Sequence, residues 1–221
     1  MVMHSAVLAI GGGSGSGKTT LAKAIASRLI SYRVQVIRED DYYYDMTSVE
    51  GFDPNSFNFD NIATHDHELL ATHLASLRRG VPIEKPIYSF IARRRSNETE
   101  VISPPDLIIV EGIHILYANV LKPHIDLSVY LDVPDDIRFI RRLLRDMTER
   151  GREPAAVVAQ YLRTVRPMYY LYTYPTRLAA DLVLTDEAAQ LTDLDRLTAP
   201  VLDALAAILP LASPEPPGGA R

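Results

Sequence analysis

Residues Gly12 to Thr19 read GGSGSGKT, the glycine, lysine and threonine spacing of a phosphate-binding P-loop. In such a loop successive backbone N–H groups converge on an anion, and the following helix adds the positive end of its dipole beneath it. Gly12 and Gly17 take the two required glycine places, Lys18 reaches the terminal phosphates as a point charge, and the Thr19 hydroxyl is suited to ligate Mg²⁺. The candidate nucleotide-binding set is Gly12, Gly13, Ser14, Gly15, Ser16, Gly17, Lys18, Thr19 and Thr20. Two groups of carboxylates complement the loop: Glu39, Asp40 and Asp41 in one run, and Glu111 at the end of an apolar stretch. One carboxylate so placed can hold Mg²⁺, directly or through water, while another orients or deprotonates an acceptor hydroxyl. Arg142, Arg145, Arg150 and Arg152 offer the positioned cations on which transfer of a phosphoryl group depends. A P-loop alone does not choose among kinases, GTPases and motors.

Positioning these groups requires strands that end beside the loop. An apolar strand, Ala6 to Gly11, enters it and a helix over Lys18 to Ser31 leaves it. Strand Val34 to Arg38 runs into the acidic triplet, and the aromatic, polar stretch Glu39 to Asn61 lacks periodicity and reads as a functional loop. Leu69, Leu70, Leu74 and Leu77 predict a helix from His67 to Arg79, closed by Gly80. Two short extended segments, Ile87 to Ile91 and Glu100 to Ile102, flank a basic turn at Arg93 to Asn97 and suggest a hairpin. Leu107 to Val110 and Leu127 to Leu131 are continuous apolar runs, as strands buried on both faces should be.

From Pro134 the pattern turns helical, with Ile137, Ile140, Leu144 and Met147 on one stripe and Arg138, Arg141, Arg142 and Arg145 on another. Periodicity alone makes the arginine stripe the solvated face. The break at Glu149 to Arg152, followed by a second helix over Ala155 to Val165, has the form of a mobile lid that could exclude water. Leu182 to Leu184 is a last strand, Leu191 to Leu209 a last helix, and Pro210 to Arg221 a Pro/Gly-rich tail expected to be disordered. The expected class is α/β: a mostly parallel sheet flanked by helices, in one domain over residues 1–209 with an acceptor-site insert near 39–103 and a lid near 142–165.

With 221 residues, 47% of them hydrophobic, the chain can bury one substantial core. A net charge of -5 argues against a nucleic-acid platform, and the absence of cysteine excludes disulfides and thiolate metal sites. No apolar run approaches the ~18 residues of a membrane span, and the N-terminus lacks a basic n-region, so a cytoplasmic protein is expected. His65, His67 and His73 lie close in sequence, but no second cluster completes a metal site, and surface or packing roles are expected for them. His114 follows Glu111 and stands outside the candidate catalytic set.

GGSGSGKT, EDDYYYD, FNFD, PIYSF, IIVEGIHIL, LLRDMTERGR, QYLRTVRPMY and PTRLAADLVL follow one another in an order and spacing that resembles the uridine kinase (uridine-cytidine kinase) family of P-loop nucleoside kinases, to about Leu184. The resemblance implies a P-loop kinase fold with a β-hairpin acceptor lobe and a helical lid. It implies Mg²⁺-dependent transfer of a γ-phosphoryl group from ATP, or GTP, to the 5′-hydroxyl of uridine or cytidine in pyrimidine salvage. The partner is then a small nucleoside, without nucleic acid or membrane, and the assembly a homotetramer. By matching position, Asp40 engages the 5′-hydroxyl beside Tyr43, Asp60 accepts hydrogen bonds from the ribose hydroxyls, and Tyr88 contacts the base. Arg142, Arg152 and Gln160 lie near the nucleoside. Lys18, Arg145 and Arg150 join Asp40 as catalytic candidates, and Thr19, Glu111 and Asp40 are the metal candidates.

Three departures bear on the acceptor. Asn61, Ile62 and Ala63 stand where the family often has His-Pro-Asp, Ser89 stands where it often has Asp, and Arg93 stands at a base-reading histidine. Guanidinium only donates, so Arg93 in the pocket suits uracil O4 and disfavours a cytosine amino group; uridine is expected ahead of cytidine. The run Arg93, Arg94, Arg95 also admits an anionic acceptor, as in phosphoribulokinase-like enzymes. A regulatory GTP switch is the other alternative, but Lys18, Lys23, Lys85 and Lys122 are the only lysines and none lies in an Asn-Lys-x-Asp element.

Overall fold

The computed structural model describes residues 5–46, 52, 57–90, 92, 94–186 and 194–209. The continuous apolar runs form the middle of a five-stranded sheet in the order β2-β5-β1-β6-β7, with every neighbouring pair parallel. These strands are β1 (Ala6–Gly11), β2 (Val34–Arg38), β5 (Leu107–Gly112), β6 (Leu127–Asp132) and β7 (Leu182–Thr185). Every residue of β1 and β5 is buried, because helices cover both faces. On one face Leu8 and Ile10 meet Leu21 and Ile25 of α1 (Lys18–Arg28) and Val201 and Leu205 of α6 (Leu194–Ala206). On the other, Val7 and Ala9 meet Leu70, Leu74 and Leu77 of α2 (His67–Arg78). Burying each such Leu or Ile side chain contributes roughly 1.5–3 kcal/mol. The register pairs Glu111 with both Ile10 and Arg38, so the P-loop, the acidic triplet and Glu111 share one carboxyl edge, where ligands of such sheets bind.

Helix α1 stops at Arg28, short of the expected Ser31, since Leu29 leaves the helical region and Ile30 is exposed as the chain turns toward β2. The hairpin exists, but β3 (Ile83–Ser89) and β4 (Arg94–Ile102) are longer than the sequence indicated, and Arg94, Arg95 and Asn97 lie in a strand, not in a turn. The ribbon is solvated on much of β4, so no alternation of apolar residues marked it. The register shifts between Pro86 and Tyr88, where proline cannot donate to the ladder.

Helix α3 (Asp135–Thr148) reverses the orientation that periodicity alone indicates and turns inward the arginines assigned to the phosphates and nucleoside. Arg138, Arg142 and Asp146 are buried, while Ile140 and Leu144 are 50% and 57% exposed. Ile137 alone of the apolar stripe packs on the core. The helix turns its charged face inward because the P-loop carbonyls and buried carboxylates satisfy it. The second helix is also shorter as an α-helix, α4 (Pro154–Gln160), but the chain stays helical through a π-turn at Tyr161–Val165, a short α5 (Arg166–Met168) and a second π-turn at Tyr169–Thr173. Pro167 cannot complete a regular α-helical ladder, and widened turns accommodate it. The expected start of α6 at Leu191 and the tail 210–221 lie outside the described residues. Among the described residues no helix is long and apolar enough to cross a membrane.

Candidate active site

The P-loop is shaped by what lies against it. Gly15 has φ +80°, and a Cβ there would stand 2.3 Å from the Arg138 carbonyl oxygen; a Cβ on Gly13 would stand 2.2 Å from an Arg138 guanidinium nitrogen. Arg138 is thus the backstop of the loop. The residue is 1% exposed, and its guanidinium donates to the Val133 carbonyl at 3.0 Å, pairs with Asp135 and lies 3.9 Å from the centre of the Tyr169 ring. Arg141 donates to the Ser16 carbonyl at 3.2 Å and pairs with Asp186 at 3.0 Å. Lys18 Nζ donates to the carbonyls of Gly12 and Gly13, both at 3.0 Å. Burial lowers the Lys18 pKa, against the opposing pull of Glu111, Asp40 and Glu39.

The carboxylates of the triplet take three separate tasks. Glu39 is fully buried, accepts from His67 Nε2 at 2.6 Å and from the His114 backbone N–H at 3.0 Å. Asp41 is buried between Lys85 at 2.8 Å and Arg38 at 2.6 Å. Asp40, its side chain 43% exposed, faces the cleft. Desolvation pushes the Asp40 pKa up, but the protonated form of His65, 3.9 Å away, and the Arg150 charge outweigh it and hold the carboxyl below its ordinary value. Glu111 accepts from Thr19 Oγ1 at 2.7 Å; burial raises its pKa despite Lys18 and that hydrogen bond.

Across the cleft stands an aromatic wall. The Tyr43 ring lies 5.0 Å from Tyr88 and 6.1 Å from Phe59, and Tyr88 lies 5.4 Å from Phe90. Asp60 is 5% exposed beside it, with one carboxylate oxygen 3.7 Å from Arg142 and the other buried without a hydrogen-bond partner. Arg142 also donates to Ser14 Oγ at 2.8 Å, joining the acceptor side to the P-loop.

Asp146 organises the remaining arginines. Fully buried, it lies 2.9 Å from Arg145, 3.4 Å from Arg150, 3.6 Å from Arg142 and 3.7 Å from Arg152. Arg152 donates to the Gln160 side-chain oxygen, and Arg150 lies 4.6 Å from the centre of the Phe90 ring. Burial and the neighbouring Arg145 charge lower the Arg150 pKa.

One cleft of about 990 Å³ is lined by Ser14, Gly15, Gly17, Lys18, Thr19, Thr20, Asp40, Tyr43, Asp60, Tyr88, Glu111, Arg142, Arg145, Arg150, Arg152 and Gln160. Gly12, Gly13 and Ser16 belong to the loop but do not line it, and Arg93 lies outside the described residues. Of the rest of the basic run, Arg95 donates to the carbonyls of Tyr42 and Tyr43, both at 3.1 Å, and neither it nor Arg94 lines the cleft. Sequence reasoning missed Asp146, Arg138, Phe59 and Phe90. Asp146 sat inside LLRDMTERGR without a recognised role, and only the inward turn of α3 sets the fully buried Arg138 apart from the other arginines of its stripe.

A triphosphate loop at the carboxyl edge of a parallel sheet, facing a carboxylate and arginines that converge on the same space, defines a P-loop kinase. The chain belongs to the Phosphoribulokinase / Uridine kinase family, whose profile matches residues 7–193. It is 41% identical over 198 residues to a uridine kinase of Listeria welshimeri, covering 90% of this chain and 95% of that protein. It is 42% identical over 193 residues to a uridine kinase of Lactobacillus helveticus, covering 87% and 92%. Phosphoribulokinase from Rhodobacter spheroides shares the fold, with a TM-score of 0.61 at 14% identity, over 83% of this chain and 70% of that one. Membership implies a nucleotide as phosphoryl donor.

Proposed function

We propose that this kinase transfers the γ-phosphoryl group of ATP, or GTP, to the 5′-hydroxyl of uridine, with cytidine as a second acceptor, in cytoplasmic pyrimidine salvage. The observation that carries the reading is the pairing of a buried, unpartnered Asp60 oxygen with the Tyr43, Tyr88 and Phe90 rings, in the same cleft as Asp40 and the P-loop. A ribose diol supplies donors for that oxygen and a planar base suits the rings. The similarity to curated uridine kinases supports the same acceptor.

Thr19 Oγ1 and Glu111 Oε1 are 2.7 Å apart and, with Asp40 lining the same cleft, form an all-oxygen donor set that fits Mg²⁺. Mg²⁺ held there would neutralise charge on the phosphates. Asp40 takes the proton of the acceptor hydroxyl, and its depressed pKa keeps it ionised at neutral pH. Lys18 binds the phosphates, and Arg145 and Arg150 stabilise charge on the transferred oxygens. Arg142, Arg152 and Gln160 hold the nucleoside against Asp60. The 142–165 segment closes as a lid to exclude water. The outward stripe of Ile140, Leu144 and Met147 supports a homo-oligomer, a tetramer by resemblance. The test is ADP release from Mg·ATP with and without uridine. Release that requires uridine is expected; GTP hydrolysis indifferent to nucleoside would contradict the reading.

A further inference from the structure

We propose that Glu39, His65 and His67 form a binding site for a transition-metal dication of the zinc class, set behind the acceptor pocket and apart from the oxygen-lined Mg²⁺ position. One ligand atom from each lies within 4.8 Å of the others, and all three side chains are buried. Two imidazole nitrogens and a carboxylate oxygen suit Zn²⁺ or Co²⁺, whereas Mg²⁺ takes oxygen ligands almost exclusively.

An independent observation points to a missing ligand. Thr64 Oγ1 donates to the Asn61 carbonyl at 2.6 Å and so accepts from His65 Nδ1–H at 3.2 Å. In the neutral ring His65 Nε2 is then left with its lone pair, buried and without a hydrogen-bond partner. His114 repeats the pattern: Nε2–H donates to the Asp60 carbonyl at 3.0 Å, and Nδ1 is buried without a partner. Its ring lies 5.7 Å from that of His65, so it offers a third imidazole for a fourth position. The His114 backbone N–H already orients Glu39 through the oxygen that does not face His67.

The site would act on the reaction through Asp40. Glu39 precedes Asp40 in the chain, and His65 Nε2 is 3.9 Å from Asp40 Oδ1. Seating an ion parts Glu39 Oε1 from His67 Nε2, now 2.6 Å away, and draws on His65, so the adjoining Asp40 carboxylate is moved from the acceptor. Occupancy therefore lowers kcat. This kinetic consequence rests on the role proposed for Asp40; the binding itself does not.

The experiment titrates Co²⁺ into chelator-treated, nucleotide-free protein in excess Mg²⁺. One Co²⁺ per chain is expected, with the visible absorption of low-coordinate cobalt, displaced by Zn²⁺. His65→Phe and His67→Gln should each weaken it at least about tenfold. Glutamine at 67 keeps a donor for Glu39, so that variant decides the matter even if His65→Phe does not fold. Absence of a bound ion in the wild type, or a spectrum undiminished in His67→Gln, overturns the site. Zn²⁺ at one equivalent should lower kcat with Mg·ATP and uridine; binding without that loss overturns the coupling to Asp40 alone. Failure of uridine as an acceptor leaves the cobalt result intact, so the two readings fail separately.

Discussion

Asp40 is set apart from Glu39 and Asp41 by what its neighbours already hold. Glu39 is committed to His67 and the His114 backbone, and Asp41 to Lys85 and Arg38, which leaves Asp40 as the acid of the triplet that lines the cleft. The residue pattern placed all three beside the P-loop, and only the family resemblance singled out Asp40, because Lys85 arrives from the hairpin and His67 from α2. The same limit hid the metal-like cluster: His65, His67 and His73 looked incomplete until Glu39 joined the first two from the end of β2. Asp40→Asn should reduce kcat by about 10²- to 10⁴-fold while nucleotide binding, measured by equilibrium titration of ADP, stays near wild type. A variant with near-normal turnover would remove Asp40 from proton transfer.

At the scale of elements, α3 departs most from its own pattern. A helix with apolar and arginine stripes ordinarily buries the former, yet here the arginines turn inward and Ile140 and Leu144 face outward. Asp146 compensates Arg142, Arg145, Arg150 and Arg152 at once, so Asp146→Asn leaves four cations without their shared counter-charge. The expected cost is about 3 kcal/mol, the low end for a broken buried pair because Arg145, Arg150 and Arg152 reach solvent. Chemical denaturation should show that loss, and kcat should fall with it as Arg145 and Arg150 lose their fixed positions. Unchanged stability and turnover would show that Asp146 does not organise the segment. The buried strands were legible because burial on both faces writes a continuous apolar run. The hairpin ends, the widened turns after Gln160 and the burial of Arg138 were not, since each depends on partners distant in sequence.

For the whole molecule, order of elements and the motifs at strand ends were enough to anticipate a parallel sheet with its site along the carboxyl edge, and β2-β5-β1-β6-β7 bears this out. Stability of the whole carries a pH signature. Burial lowers the pKa of His114 and of His73, whose Nδ1 lies 2.9 Å from the Tyr42 hydroxyl. The unfolded chain binds those protons near pH ~6.5 while the native state does not, so stability rises with pH across the window below that value. Tm should increase between about pH 5.5 and about pH 7.5, and His73→Gln, which keeps a polar partner for Tyr42, should flatten the rise. A flat wild-type profile would contradict this. The central claim, that the cleft takes a pyrimidine nucleoside as its acceptor, is tested most directly by kcat/KM for uridine, cytidine and ribulose 5-phosphate with Mg·ATP. The account predicts uridine first, cytidine behind it and no turnover of ribulose 5-phosphate; ribulose 5-phosphate as the preferred acceptor, or no nucleoside turnover at all, would contradict it.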